Sequence, residues 1–489
     1  MKNKVQLITY TDRLNKNGLK GLTNILNSQL ENLFAGVHIL PFYYPIDGSD
    51  AGFDPIDHAQ IDPRLGTWND LKELSQNNEV MADLIVNHAS AQSPEFLDVL
   101  SKGADSEYWS MFLKEQDVFP DGMTQEQADK IYRPRPGSCF SSKTLNSGEK
   151  VNFWTTFTDN QVDINVESPA GQEYLNKVLN LFAENGVKII RLDAAGYAIK
   201  RSGTSCFMTD EAFKFIDELS IKANALGMET VAEIHSHYKT QIDVAAKVNR
   251  VYDFALPPLI LHSLFTNNVE ALVSWLTIAP RNCLTVLDTH DGIGIIDAGP
   301  QGNKPGLLIA DEIDVLVETI HINSHGQSRK ATGAAASNVD LYQVNCTYYD
   351  ALGADDLLYL FARAIQFFSP GVPQVYYGGL FAMSNDMQLL ESTNVGRNIN
   401  RPYISDELIK EQFEKPVVKG LCQLIQIRNQ YEAFNGEFSV NGFNDQLDLS
   451  WVNGDQSARL ELALSKREGK ILITSGDQIV EYDLPSLLS

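Results

Sequence analysis

Four short apolar runs in this chain end in groups that give or take protons. They are Val80-Met-Ala-Asp-Leu-Ile-Val-Asn-His88, Val187-Lys-Ile-Ile-Arg-Leu-Asp193, Met228-Glu-Thr-Val-Ala-Glu233 and Leu284-Thr-Val-Leu-Asp-Thr-His-Asp291. One carboxylate after one strand is ordinarily a loop solubiliser or a helix N-cap. Several such endings on parallel strands are different, because the C-terminal rim of a parallel barrel is where barrel enzymes keep their chemistry. Arg191 lies two residues before Asp193 and so on the same side of its strand, where its guanidinium can hold that carboxylate ionised and oriented. Gathered on one rim, Asp193, Glu233, Asp291, His88 and His290 would be equipped for acid–base and nucleophilic work.

The elements needed to position them are legible as an alternation of strand-like and helix-like segments. Val5 to Tyr10, Gly36 to Phe42 and Val80 to Asn87 read as strands, with helices near Leu22 to Leu33 and Trp68 to Leu74 between them. The rhythm breaks from about Ser90 to Asp163 and resumes with Leu175 to Phe182 as helix and Val187 to Leu192 as strand. Strands at Thr230 to Glu233, Val251 to Leu256, Leu284 to Asp288 and Val372 to Tyr377 complete eight, the last preceded by a second irregular region. This is the βαβ pattern of a parallel sheet, and eight units predict an α/β fold of the (β/α)8 TIM barrel type. Period-two runs such as Leu447 to Val452 and Ala458 to Ala463 predict a C-terminal antiparallel β domain. The expected division is barrel at 1–89, 168–291 and 356–434, an inserted domain at 90–167 after strand 3, a second insert at 292–355 after strand 7, and the β domain at 435–489.

At 489 residues the chain accommodates such a barrel with additions, and 43% hydrophobic with 21% charged residues is ordinary for a folded enzyme. A formal charge of -24 repels phosphate backbones and anionic lipid, so neither nucleic acid nor membrane is expected as a partner. Five scattered cysteines without a C-x-x-C pair speak against a disulfide framework or zinc site, and no acidic cluster has calcium-ligand spacing, so no metal is expected. The first ten residues read as a strand and not as a secretory leader, which places the chain in the cytoplasm.

In chain order the rim motifs read Asp-x-x-x-Asn-His, Arg-x-Asp, Glu, then His-Asp, and this series resembles the active-site signature of the α-amylase superfamily. The resemblance implies acetal cleavage by two carboxylates, one protonating the leaving oxygen and the other attacking the sugar. It assigns Asp193 as nucleophile, Glu233 as acid/base and Asp291 as the third carboxylate, with His88 and His290 on the same sugar. Asp83, Asn87 and the run Gln161 to Asn165 are expected to support the rim.

Other runs narrow the resemblance to the sucrose phosphorylases: Asp50-Ala-Gly-Phe-Asp-Pro-Ile-Asp57, Arg133-Pro-Arg-Pro-Gly137, Tyr252-Asp-Phe-Ala-Leu-Pro257, Asp340-Leu-Tyr-Gln-Val-Asn345 and Gly396-Arg-Asn-Ile-Asn-Arg401. By that resemblance Asp50 and Arg397 clamp the far side of a glucosyl ring, and Phe53 and Phe157 are platforms beside it. Arg135, Asp340, Tyr342 and Gln343 form the acceptor side, with Tyr197 and His235 nearby. Arg135 would answer the charge problem, since its fork of donors can hold phosphate even in an acidic protein. The implied partners are sucrose, phosphate, fructose and glucose 1-phosphate, with no cofactor, phosphate being a co-substrate; a homodimer is left open. The sequence departs from close relatives at Gly137-Ser-Cys-Phe140 and Arg401-Pro-Tyr-Ile404, which bears on acceptor preference. Sucrose 6-phosphate or glucosylglycerate as donor, or simple hydrolysis of sucrose or another α-glucoside, are the alternatives.

Overall fold

Strands enclosed on both faces must be apolar along most of their length. Eight segments that are buried along most of their length, each with apolar residues within it, are Gln6–Thr9 (β1), Gly36–Ile39 (β2), Glu79–Ile85 (β3), Val187–Asp193 (β4), Glu229–Ala232 (β5), Arg250–Asp253 (β6), Cys283–Thr285 (β7) and Val372–Tyr376 (β8). The computed structural model describes residues 1–48, 51–134, 137–332 and 343–489. In it these strands pair in parallel, each with its neighbours in sequence, and β8 returns to β1 to close the expected barrel.

Register decides what meets at the rim. Across β3 and β4, Arg191 is level with Asp83. Across β4 and β5, Leu192 is level with Ala232. The next residue on each of these last two chains is a carboxylate, so Asp193 and Glu233 leave adjacent strands at the same height.

The outer helices follow from apolar spacing and capping. In Pro169–Glu184 the buried Leu175, Val178, Leu179 and Phe182 recur at helical intervals, proline occupies the first turn, and Ser168 accepts the Gly171 N–H. In Asp356–Phe368 every residue from Tyr359 to Phe368 is buried, because this helix lies between the barrel and the C-terminal sheet. That sheet has five antiparallel strands, Glu437–Phe443 (β9), Gln446–Asn453 (β10), Gln456–Ala463 (β11), Glu468–Ser475 (β12) and Gln478–Asp483 (β13). Leu447, Leu449 and Trp451 turn inward in alternation, and Trp451 Nε1 donates to the Phe368 carbonyl at 2.7 Å.

Between β3 and β4 the chain forms the ribbon His88–Ser90 with Gln161–Asp163 and the hairpin Phe140–Thr144 with Lys150–Trp154. Between β7 and β8, Ile293–Gly294 pairs with Gln343–Val344. No described helix is long and apolar enough to cross a membrane.

Several boundaries differ from expectation: β2 ends at Ile39 and not at Phe42, β7 ends at Thr285 and not at Asp288, and two others have a visible local cause. The helix expected at Leu22 to Leu33 is Gly18–Leu26, capped at Asn27 by its backbone N–H, and Leu30 and Leu33 stay buried in the turns that follow. Strand β6 ends at Asp253 and does not reach Leu256, because the Asp253 carboxylate accepts the Leu256 N–H at 3.0 Å and the next two prolines suit a helix's first turn.

Candidate active site

Arg191 is the centre of the rim. It is buried, with Nη1 2.5 Å from Asp83 and 3.0 Å from Asp193, and Nη2 2.8 Å from Glu233. One planar guanidinium therefore bridges the two carboxylates that the sequence brought to equal height, using the fork geometry that lysine lacks. Asp83 in turn lies 3.0 Å from His38 Nε2. Burial alone would push the Asp83 carboxyl up, but His38 and Arg191 outweigh it and hold it down at about 2.

Asp291 has a cationic cradle of its own. Arg397 stands 2.9 Å from it, Arg401 3.5 Å, and His290 3.3 Å. Burial opposes its charge, yet the guanidiniums, Arg397 foremost and Arg401 with it, hold its carboxyl far below the ordinary range. His290 moves the other way: enclosure pushes it well below the usual histidine value, which favours a neutral ring.

The pocket above these groups has a cavity volume of about 100 Å³ and is lined by Asp193, Glu233 and Asp291 together. Phe53 forms its floor, stacked on His290 with centroids 5.0 Å apart and lying under the Arg191 guanidinium. The Phe53 carbonyl meets His88 Nε2 at 3.0 Å. Phe157 sets its edge against His88 and Tyr197. At the mouth, Tyr197, Tyr132 and Phe207 form an aromatic wall. His235 and Gln343 close the opposite side, 3.1 Å apart.

The structure thus brings Phe53, His88, Phe157, Arg191, Asp193, Tyr197, Glu233, His235, His290, Asp291, Gln343 and Arg397 to one place. Asp50, Arg135, Asp340 and Tyr342 lie outside the described residues.

Sequence reasoning missed four contributors. Tyr132 and Phe207 come from the insert and the β4 loop, and nothing in their spacing marks them. Arg401 was legible only as part of a resembling run; it reaches Asp291 and donates from Nε to the His290 carbonyl at 2.7 Å. Lys200 is buried, although lysine is a residue type that sequence alone places outside. Its ammonium meets Asp163 at 2.5 Å, Asn87 Oδ1 at 2.7 Å and the Tyr197 carbonyl, so three donors find three acceptors on three segments. Asp163 also accepts the Thr156 N–H and hydroxyl. Among the described residues no group of three or more His, Cys, Asp or Glu is arranged to hold a metal.

A parallel eight-stranded barrel carrying two guanidinium-bridged carboxylates and a third in a cationic cradle defines the α-amylase class, and the alpha amylase catalytic-domain family matches residues 10–251. A sucrose phosphorylase of Agrobacterium vitis is 56% identical over 97% of both chains. One from Bifidobacterium adolescentis is 51% identical over 96% of this chain and 93% of its own. The solved structure of a sucrose 6F-phosphate phosphorylase from Thermoanaerobacter thermosaccharolyticum superposes with a TM-score of 0.90 at 38% identity, covering 99% of each chain. The chain belongs to the sucrose phosphorylase family.

Proposed function

We propose that this protein converts sucrose and inorganic phosphate to α-glucose 1-phosphate and fructose. The observation that carries the chemistry is the bridging of Asp193 and Glu233 by one guanidinium at the floor of an enclosed pocket. Asp193 attacks the anomeric carbon while Glu233 gives its proton to the departing fructosyl oxygen. A phosphate oxygen then attacks the resulting β-glucosyl ester, Glu233 takes the proton from that phosphate, and the two inversions sum to retention. Arg191 keeps the nucleophile oriented, and Asp291 with Arg397 grips the ring hydroxyls. Phosphate is a co-substrate and no cofactor takes part. The five unpaired cysteines suit the reducing cytoplasm, where we place the reaction.

The choice of donor is supported by the relatives of highest identity given above and by the charge of the wall. Among the described residues lining the pocket Arg397 is the one Arg or Lys, and it already faces Asp291. A donor bearing its own phosphate would need a further cation. The test is a donor panel with phosphate present: sucrose, sucrose 6-phosphate and glucosylglycerate. The kcat/KM for sucrose should exceed the others by at least about tenfold, with chelator leaving it unchanged; a preference for either anionic donor, or loss of rate on chelation, would refute the reading.

A further inference from the structure

Behind the pocket lies a carboxylate that the mechanism above does not use. Asp297 stands in the short turn Ile296–Ala298 and is 0% exposed. One of its oxygens accepts the Ser236 backbone N–H at 2.9 Å, and the other lies 3.4 Å from His235 Nδ1. The His235 ring is stacked on Phe254 with centroids 3.8 Å apart, so its plane is fixed as well as its Nδ1 edge. Its Nε2 edge faces the pocket, 3.9 Å from Glu233 Oε1 and 3.1 Å from Gln343 Nε2. Gln343 is itself held by the backbone, level with Gly294 in the ribbon that leads into Asp297.

An anion entering this pocket approaches three carboxylates, Asp193, Glu233 and Asp291, and must be offered positive charge. His235 is placed to supply it. The charged groups facing the ring are Asp297 from the turn after β7, Glu233 from the end of β5 and Asp291 from the β7 loop, while Phe254 and Gln343 are uncharged. Burial disfavours the charged ring, but these three anions outweigh it and raise its pKa above the ordinary value.

We infer that Asp297 is a positioning residue for the acceptor step: it turns the Nε2 edge of His235 into the pocket and stabilises the charged ring, so that arriving phosphate meets an imidazolium beside Glu233. This rests on phosphate being the acceptor. The amide of Gln343 follows the same switch. A neutral ring with Nδ1–H toward Asp297 can accept from Gln343 Nε2 at the observed 3.1 Å. A charged ring needs an acceptor there instead, and Gln343 Oε1 is buried with no partner among the described residues. A half-turn of the amide exchanges the two, coupling the charge on His235 to the residue that follows the segment bearing Asp340 and Tyr342.

Asp297→Asn keeps the shape and an acceptor for Ser236 while removing the charge. The phosphate KM should rise about tenfold or more, glucosyl transfer to water should fall by a smaller factor, and the alkaline limb of phosphorolysis should move to lower pH than in the wild type. Phosphate's own titration is common to both proteins and cancels in that comparison. Asp297→Glu should recover part of the phosphate KM. Equal losses with phosphate and water, or coincident pH profiles, would overturn the role. Should the variant fail to fold, the His235 Cε1–H resonance of the wild type, assigned with His235→Gln, decides: a midpoint above the ordinary value of about 6.5 supports the pair, and one at or below it overturns it. That titration needs no acceptor, so it reads the pair separately from whether sucrose yields glucose 1-phosphate.

Discussion

Arg191 bears on both carboxylates of the site at once, and the division of labour between them is what variants can separate. Asp193→Asn should lose on the order of 10⁴-fold or more in turnover, because an amide cannot form the ester, while the fold and sugar binding persist. Glu233→Gln should lose about 10²- to 10⁴-fold on sucrose but much less in the glucosylation step with glucosyl fluoride, whose leaving group needs little protonation. Stopped-flow release of fluoride against fructose separates these; equal losses on both donors would remove Glu233 from the acid role. Arg191 and the two acids were readable from the sequence because strand geometry has period two and the acids end apolar runs. Lys200 and Asp297 were not, since a buried charge is spelled with the same letter as an exposed one and only tertiary partners distinguish them.

At the scale of elements, the site depends on registers and on ties between loops. The level pairing of Leu192 with Ala232 sets the height of both acids, and it is fixed by the buried pattern of the strands. Lys200 does the comparable work for the loops, tying the ends of β3 and β4 to the insert through Asn87, Tyr197 and Asp163. Lys200→Met would leave Asp163 charged and buried, a change that costs about 3–5 kcal/mol, and the sugar KM should rise because Tyr197 and Phe157 flank the pocket on these segments. Adding Asp163→Asn should return part of the stability, and thermal unfolding of the single and double variants measures that coupling; strictly additive losses would show that the pair does not act as a tie. The strands themselves were legible from their apolar runs, whereas their ends were not. Whether Val251 to Leu256 continues as strand or turns into helix is decided by the Asp253 cap and the two prolines, a local competition that the apolar pattern does not record.

For the whole molecule, an acidic chain with a formal charge of -24 sets a small share of its 39 Lys and Arg residues against the carboxylates of the site. Arg191, Arg397, Arg401 and Lys200 all face carboxylates at or beneath the pocket. Stability should therefore depend on acid pH in a definite direction. The Asp83 carboxyl is lowered from 3.8 to about 2, so its contribution is complete above the unfolded value and is lost as pH falls through the folded one. That contribution is on the order of 2 kcal/mol, and it should show as a difference between wild type and Asp83→Asn in urea unfolding that shrinks between about pH 5 and pH 2; a difference independent of pH would contradict it. The barrel and its C-terminal sheet were foreseeable from the βαβ alternation followed by period-two runs, while the edge strands β9 and β13 were not, because neither carries the alternating row of buried residues that marks β10 to β12. The most direct measurement of what the assembled molecule does is a paired incubation with sucrose, with and without inorganic phosphate, followed by proton NMR of the products. Fructose and the α anomer of glucose 1-phosphate in equal amounts, formed only with phosphate and much faster than free glucose, is the predicted result; glucose and fructose released at the same rate in both tubes, or a β-phosphate, would contradict it.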